Sequence, residues 1–273
     1  MDLTQKRVAV LGAGKIGRAI LGALLEQGIL KRELTSATVQ HAERAQALSR
    51  ELGIPVDTDN CKAVRQADIV VVAVKPQGVQ GVLEEIKPAI STRHLVISVA
   101  ASVRIPQIEE VLGSDVPIVR AMPNTPCVIG CGMTALCGGK SAAPEHMEIV
   151  GTLFGATGRT VILDEKHMNA VTGLAASGPA YIYIILESLA EAGVKVGLPR
   201  DIATLLAAQT TMGAAKMVLE TGDHPALLKD AVTTPAGCTI DGILELEDGG
   251  LRVTLIKAVV KAVQRARELA ASD

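Results

Sequence analysis

The sequence predicts an α/β fold in two parts: a parallel sheet with helices on both faces over residues 1–164, then an all-helical region over residues 165–273. Three observations predict it. Strand-like and helix-like stretches alternate through the first part, the order that builds parallel sheets. A glycine-spaced turn joins the first strand to the first helix. Beyond about Asp164 no stretch reads as a strand. The chain has 273 residues, 48% of them hydrophobic, which suits one large or two modest cores. Phe154, Tyr181 and Tyr183 are its only aromatics, so those cores must be aliphatic. The formal net charge of -2 weighs against nucleic acid and acidic membranes as partners.

The elements follow in order. RVAVLG (7–12) is an apolar run closed by glycine, a buried strand. Residues 16–28 read as a helix with Ile16, Ala19, Ile20, Ala23 and Leu24 on one face and Gly28 as its stop. Residues 35–40 are a second strand and 41–52 a second helix. DIVVVAV (68–74) has the unbroken β-branched run of a strand covered on both faces. A helix over 79–90, a strand over 95–100 and a helix over 104–112 come next. PIVRAM then leads into a proline-punctuated loop. Short strands at 132–137 and 160–163 flank a helix at 144–156. In the second part, residues 166–195, 200–221, 224–231, 239–246 and 250–271 all read as helix. Pro199 suits an early helical position, and Gly197 and Gly222 mark helix ends.

From Met168 to Leu186 there is no charged residue, nearly the length of a membrane span. Asn169, Thr172, Gly173, Ser177, Gly178 and Pro179 interrupt it, which suits tight packing in a core or subunit interface better than lipid. The five cysteines are Cys61, Cys127, Cys131, Cys137 and Cys238. Their odd number, the absence of a CxxC pair and the lack of a signal-like leader predict reduced thiols in the cytoplasm. Cys127, Cys131 and Cys137 cluster loosely, but no His stands near them before His146, so no metal site is expected.

LGAGKIG places Gly12, Gly14 and Gly17 in G-x-G-x-x-G spacing after a strand and at the head of a helix. Gly12 permits the tight turn, Gly14 the approach of a pyrophosphate, and Gly17 close helix–strand packing. The helix then offers its first amides and its dipole to phosphate. A Rossmann-like dinucleotide domain is the reading. An NAD site carries Asp or Glu at the end of the second strand. Here that strand ends Val39-Gln40, followed by His41, Ala42, Glu43 and Arg44. Without an acid there, a 2′-phosphate is tolerated, and Arg44 with His41 could neutralise it. NADPH is therefore preferred over NADH. The carboxyl ends of later strands, AVKPQ (73–77), SVAAS (98–102) and RAMPNTP (120–126), bring Lys75, small residues and Asn124 to the cofactor edge.

The ordered set AVKP, SVAAS, MPNTP, VTGLAASGPAY and TTPAGCT resembles pyrroline-5-carboxylate reductase along essentially the whole chain. The resemblance implies NAD(P)H-dependent reduction of the cyclic imine 1-pyrroline-5-carboxylate to L-proline, the last step of proline biosynthesis. It also implies a helical domain that forms a homodimer, often assembled further into a decamer. Cofactor contacts would fall on Gly12, Ala13, Gly14, Lys15, Ile16 and Gly17, on Asn60, on Ala73, Val74, Lys75 and Pro76, and on Ala101. Substrate contacts would fall on Glu165, Gly237, Cys238 and Thr239, with Ser177, Gly178 and Pro179 at a break in the long helix. Glu165 and Thr239 are the candidate catalytic groups.

Some positions depart from the family's pattern. Ala231 stands where Asn can occur, Cys238 where Ala or Thr is also seen, and Ala236-Gly237 where two glycines are common. The segment after the second strand reads HAER.

A protonated imine accepts hydride readily, so orientation and hydrogen-bond donors matter more than a strong base. TTPAGCT suits that task, because a helix N-terminus binds a carboxylate and Thr239 can donate to it or to the ring nitrogen. The local alternative for Thr239 is a helix N-cap. A β-hydroxyacid dehydrogenase-type reductase would need a lysine in the helical region, and none lies between Met168 and Leu186. A non-catalytic NADP-binding sensor would not need MPNTP or TTPAGCT.

Overall fold

The computed structural model describes residues 3–271. Its sheet has eight strands in the order β3-β2-β1-β4-β5-β6-β7-β8. They are β1 (Val8–Leu11), β2 (Thr35–Thr38), β3 (Val56–Asp57), β4 (Ile69–Val72), β5 (Leu95–Ser98), β6 (Ile118–Met122), β7 (Gly132–Gly138) and β8 (Gly158–Ile162). Helices α1 (Lys15–Glu26), α2 (Ala42–Leu52), α3 (Asn60–Arg65), α4 (Pro76–Ile86), α5 (Ile105–Leu112) and α6 (Pro144–Gly155) connect them.

The central strands β1 (VAVL) and β4 (IVVV) are apolar throughout because both faces are covered. Alternate residues enter two separate cores. Val8, Val10, Ile69, Val71, Leu95 and Ile97 pack with Leu21 and Leu24 of α1 and Val150 and Phe154 of α6. Ala9, Leu11, Val70, Val72 and Val96 pack with Val79 and Leu83 of α4 and Ile108 of α5. Each fully buried Val, Leu or Ile contributes roughly 1.5–3 kcal/mol, so a charge at Val70 would undo β4.

Two features differ from the sequence expectation. β7 runs antiparallel to β6. The residues between them hold only the 3-10 turn Thr125–Ile129, too short for the crossover that a parallel return needs. The short pair β3 and α3 was not anticipated. Two residues cannot show alternation, although Asp59 caps α3 by accepting the Lys62 N–H at 2.8 Å.

The chain forms two compact units. The first takes in the described residues up to Ser177 and those from Ala262 onward; the second is Gly178–Lys261. The first unit therefore extends beyond residue 164. Met168, on the short helix α7 (Met168–Val171), is fully buried in the core beneath β4, β5 and β6. After it comes a π-helical turn, Thr172–Ala176.

The second unit comprises α8 (Gly178–Lys195), α9 (Arg200–Thr221), α10 (Pro225–Ala231), α11 (Cys238–Asp248) and the start of α12 (Leu251–Ala271). α8 and α9 approach closely, since a Cβ on Gly193 would meet Ala203 Cβ at 2.8 Å. Small residues make that contact, and many large apolar ones stay outside: Ile184, Leu205 and Ile256 are exposed. By length and hydropathy alone the helical stretches Glu165–Lys195 and Arg200–Thr221 could cross a membrane.

Candidate active site

The sheet order reverses between β1 and β4, and ligands of such sheets bind at the carboxyl ends of the strands at that point. Gly12 has φ 82°, and a Cβ there would collide with Val74. A Cβ on Gly17 would meet Gly12 O at 3.0 Å and Ala73 Cβ at 3.1 Å. These two glycines are demanded by packing. Gly14 differs: its Cβ would meet nothing nearer than Gly12 O at 4.0 Å. The open space beside Gly14 is where a ligand can come against the backbone.

Hydrogen bonding separates the amides of the turn. The N–H groups of Gly12 and Ala13 donate to Thr38 O at 3.1 and 2.8 Å, and that of Gly14 to Gly12 O at 2.7 Å. The first bond of α1 is Arg18 N–H to Gly14 O, so the amides of Lys15, Ile16 and Gly17 have no partner inside the helix. Gly14, the N-cap, has no side chain to supply one. These three amides are free to donate to an anion. Ala13, buried and already bonded, has only its apolar surface to give.

Thr38 was missed by the sequence reading. Its hydroxyl lies 3.3 Å from Gly12 N and donates to Asn60 Oδ1 at 2.6 Å, while Asn60 Nδ2 donates to Glu85 at 2.8 Å. Asn60 is thereby held beside the glycine turn. His41 is the N-cap residue of α2 and makes no side-chain cap bond. Arg44, one turn on, is exposed and forms no salt bridge among the described residues. Lys75 is exposed at the N-cap of α4, followed by Pro76 at its first position.

The loop after β5 carries Ala101, half-buried, and Ser102, which is held at φ 66°. Among the described residues only one other non-glycine residue has positive φ: Ala236, at 57°. Both sit in loops that the sequence reading had selected for function, where such strain concentrates.

Two expected site residues are also tied to distant parts of the chain. Asn124, expected at the cofactor edge, accepts on Oδ1 from Met133 N at 2.9 Å and donates from Nδ2 to Ala175 O at 3.1 Å. In a regular helix Ala175 O would receive the N–H of residue 179, which is proline and has none. Asn124 satisfies the carbonyl that Pro179 orphans, a positioning role. Glu165 is the expected catalytic group on the substrate. One of its oxygens, Oε1, accepts from Ile105 N at 2.6 Å and from Arg120 Nη1 at 3.3 Å.

Arg120, within the otherwise apolar β6, is 1% exposed. Burial pushes its pKa down and the Glu165 charge pulls it back up. Its Nε and Nη2 find no partner among the described residues. With Arg104, Glu165, Lys166 and Asn169 it lines a cavity of about 260 Å³. A lone arginine inside PIVRAM was the available sequence signal. Beside it, burial and then the Glu165 charge push the Cys137 thiol up to about 11, so it stays protonated and unreactive.

In the helical unit, TTPAGCT leads into α11. The N-cap is Gly237, with φ -80° and ψ 157°, and Thr239 lies inside the first turn. The N-cap alternative for Thr239 therefore does not hold. Gly237 N donates to Thr234 O at 3.0 Å and Ile240 N to Gly237 O at 3.3 Å. The amides of Cys238 and Thr239 remain for a ligand, and the Thr239 hydroxyl has no partner among the described residues. A Cβ on Gly237 would strike Thr234. Ser177 donates its N–H to Thr172 O at 3.0 Å, closing the π turn, and Gly178 and Pro179 begin α8.

A mostly parallel sheet with unsatisfied helix amides beside a glycine turn defines a protein of the dinucleotide-binding class. The comparisons with known proteins agree. Residues 7–102 match the family described as NADP oxidoreductase, coenzyme F420-dependent, and residues 165–269 that described as pyrroline-5-carboxylate reductase dimerisation. A pyrroline-5-carboxylate reductase of Glycine max is 42% identical over 259 residues, 95% of this chain and 94% of that one. The crystal structure of the Plasmodium falciparum enzyme with NADP bound is 30% identical, with TM-score 0.89 over 98% of this chain and 99% of that one. The Coxiella burnetii structure is 36% identical, with TM-score 0.90 over 97% and 98%.

The chain belongs to the pyrroline-5-carboxylate reductases. It is an NAD(P)H-dependent oxidoreductase of the last step of proline biosynthesis, and its dimerisation region supports oligomerisation.

Proposed function

We propose that the carboxyl edge of the sheet binds NADPH in preference to NADH, and that residues 236–240 hold the cyclic imine. Three donors without internal partners support the second part: the amides of Cys238 and Thr239 and the Thr239 hydroxyl. The amides suit the substrate carboxylate, as helix N-termini suit anions, and the hydroxyl suits the ring nitrogen. When bound, the reduced nicotinamide supplies the hydride. The chain's task is orientation and charge stabilisation, and no strong base is required. Ser177, Gly178 and Pro179 stay on the substrate side, supported by the π turn before them, a distortion frequent at functional sites.

Lys15, Ile16 and Gly17 give their amides to the pyrophosphate, Gly14 its open approach, and Gly12 and Ala13 the shape of the turn. Asn60, Ala73, Val74, Lys75, Pro76 and Ala101 complete the cofactor edge. His41 and Arg44 meet the 2′-phosphate, supported by Val39 and Gln40, in place of an acid, directly after β2 and by the exposure of Arg44. Residues 1–164 serve the cofactor and 165–273 the substrate and assembly, supported by the dimerisation match over 165–269. The exposed apolar faces of α8 and α9 suit a second copy of the chain rather than lipid, giving a homodimer that assembles further, to a decamer. The setting is cytoplasmic, supported by five free thiols; the net charge of -2 supports no nucleic-acid partner. The test is oxidation of NADPH by the purified chain with and without 1-pyrroline-5-carboxylate. No imine-dependent loss of NADPH would overturn the reading.

A further inference from the structure

Glu165 is the ion partner of a guanidinium that is 1% exposed. A charge so deeply buried cannot be left alone without a large penalty, so Arg120 holds the carboxylate in place. The same oxygen, Oε1, accepts the Ile105 N–H at 2.6 Å, the first amide of α5 and one of the donors a helix start leaves orphaned. Ile105 ends the loop that follows β5. At the loop's other end, Val99 N–H donates to Val72 O at 3.0 Å, and at its exit Arg104 N–H donates to Gln107 Oε1 at 2.7 Å. Between these anchors Ser102 is held at φ 66°, a conformation that persists only where its surroundings impose it. Ala101, the expected cofactor contact, is its neighbour.

We propose that Glu165 is a positioning residue for the cofactor: with Arg120 it forms a clasp that holds the loop of Ala101 and Ser102 against the sheet. It acts through the Ile105 amide and takes no part in proton transfer. The proposal rests on the reading that this edge binds NADPH.

Two double variants isolate the acceptor without stranding the arginine: Arg120→Met with Glu165→Gln, and Arg120→Met with Glu165→Ala. Both lack the buried charge; only the first keeps an oxygen for Ile105 N–H. NADPH affinity is read from the fluorescence of NADPH itself, which a chain without Trp leaves unobscured. The Ala double is expected to weaken NADPH binding and raise its KM by about tenfold relative to the Gln double, with KM for the imine within about twofold. Equal NADPH affinities in the two doubles, with a wild type that binds it, overturn the clasp alone. A Gln double whose turnover collapses at unchanged NADPH affinity overturns it too, in favour of proton transfer. A wild type that does not bind NADPH overturns the cofactor reading and the clasp with it.

Discussion

The two compact units treat apolar side chains in opposite ways. In the α/β unit, β1, β4 and β5 are buried at every residue. In the helical unit, only Ala190 of α8 and Ala203 and Ala207 of α9 are buried, while Ile184 is 64% and Leu205 63% exposed. One region closes its core within a single chain. The other packs alanines inside and leaves its isoleucines and leucines outside, the pattern of a fold that another copy completes.

The sharpest way to break this contrast is a charge on the exposed apolar face. Leu205→Asp is expected to weaken assembly by at least about 100-fold, because a buried unpaired carboxylate costs several kcal/mol. Analytical ultracentrifugation without detergent checks it, and an unchanged mass would remove that face from the interface. A smaller effect separates the functions of the two units. Thr239→Ala should lower kcat/KM for the imine by about tenfold or more, with NADPH affinity nearly unchanged. Near-normal turnover would take Thr239 off the catalytic list.

Arg44→Ala should raise KM for NADPH about tenfold while moving that for NADH little, the loss of one charge-assisted contact; equal changes would show that Arg44 does not read the 2′-phosphate. Ala236→Gly should stabilise the helical unit by about 1 kcal/mol, since the left-handed conformation costs an alanine that much, seen as a higher Tm. A Tm that falls instead would mean that the loop relaxes.

The smallest effect belongs to the α/β core. His94, 1% exposed, has its pKa lowered from 6.5, chiefly by burial. The unfolded chain then binds more protons than the folded one below that value, so stability present above pH 6.5 is lost as pH falls. His94→Gln should flatten that slope in a Tm series, and an unaltered slope would clear His94.

Much of the cofactor side was legible. The glycine spacing and the apolar run 69–72 are local patterns, and both reappear as a turn shaped by Gly12 and a strand buried on both faces. The departure at Ala236 from a pair of glycines was also legible, and its positive φ gives the physical reason that glycine suits the place. The roles of Glu165, Asn124 and Thr38 were not, because each depends on a partner far along the chain. Glu165 meets Ile105 and Arg120, Asn124 meets Ala175, and Thr38 meets Asn60. One oxygen of the Glu165 carboxylate is thereby spent on the protein, which no local pattern shows.

By itself the sequence determined the alternation of elements, the glycine turn, the all-helical second region and the family, all of which rest on spacing or on ordered motifs. Only the tertiary structure decided which polar groups are spent on the protein and which stay free for a ligand. It also decided that β7 runs antiparallel and that Met168 belongs to the α/β core. The reason is physical: periodicity records which face of an element is buried, but a hydrogen bond is satisfied by whatever the fold brings within about 3 Å.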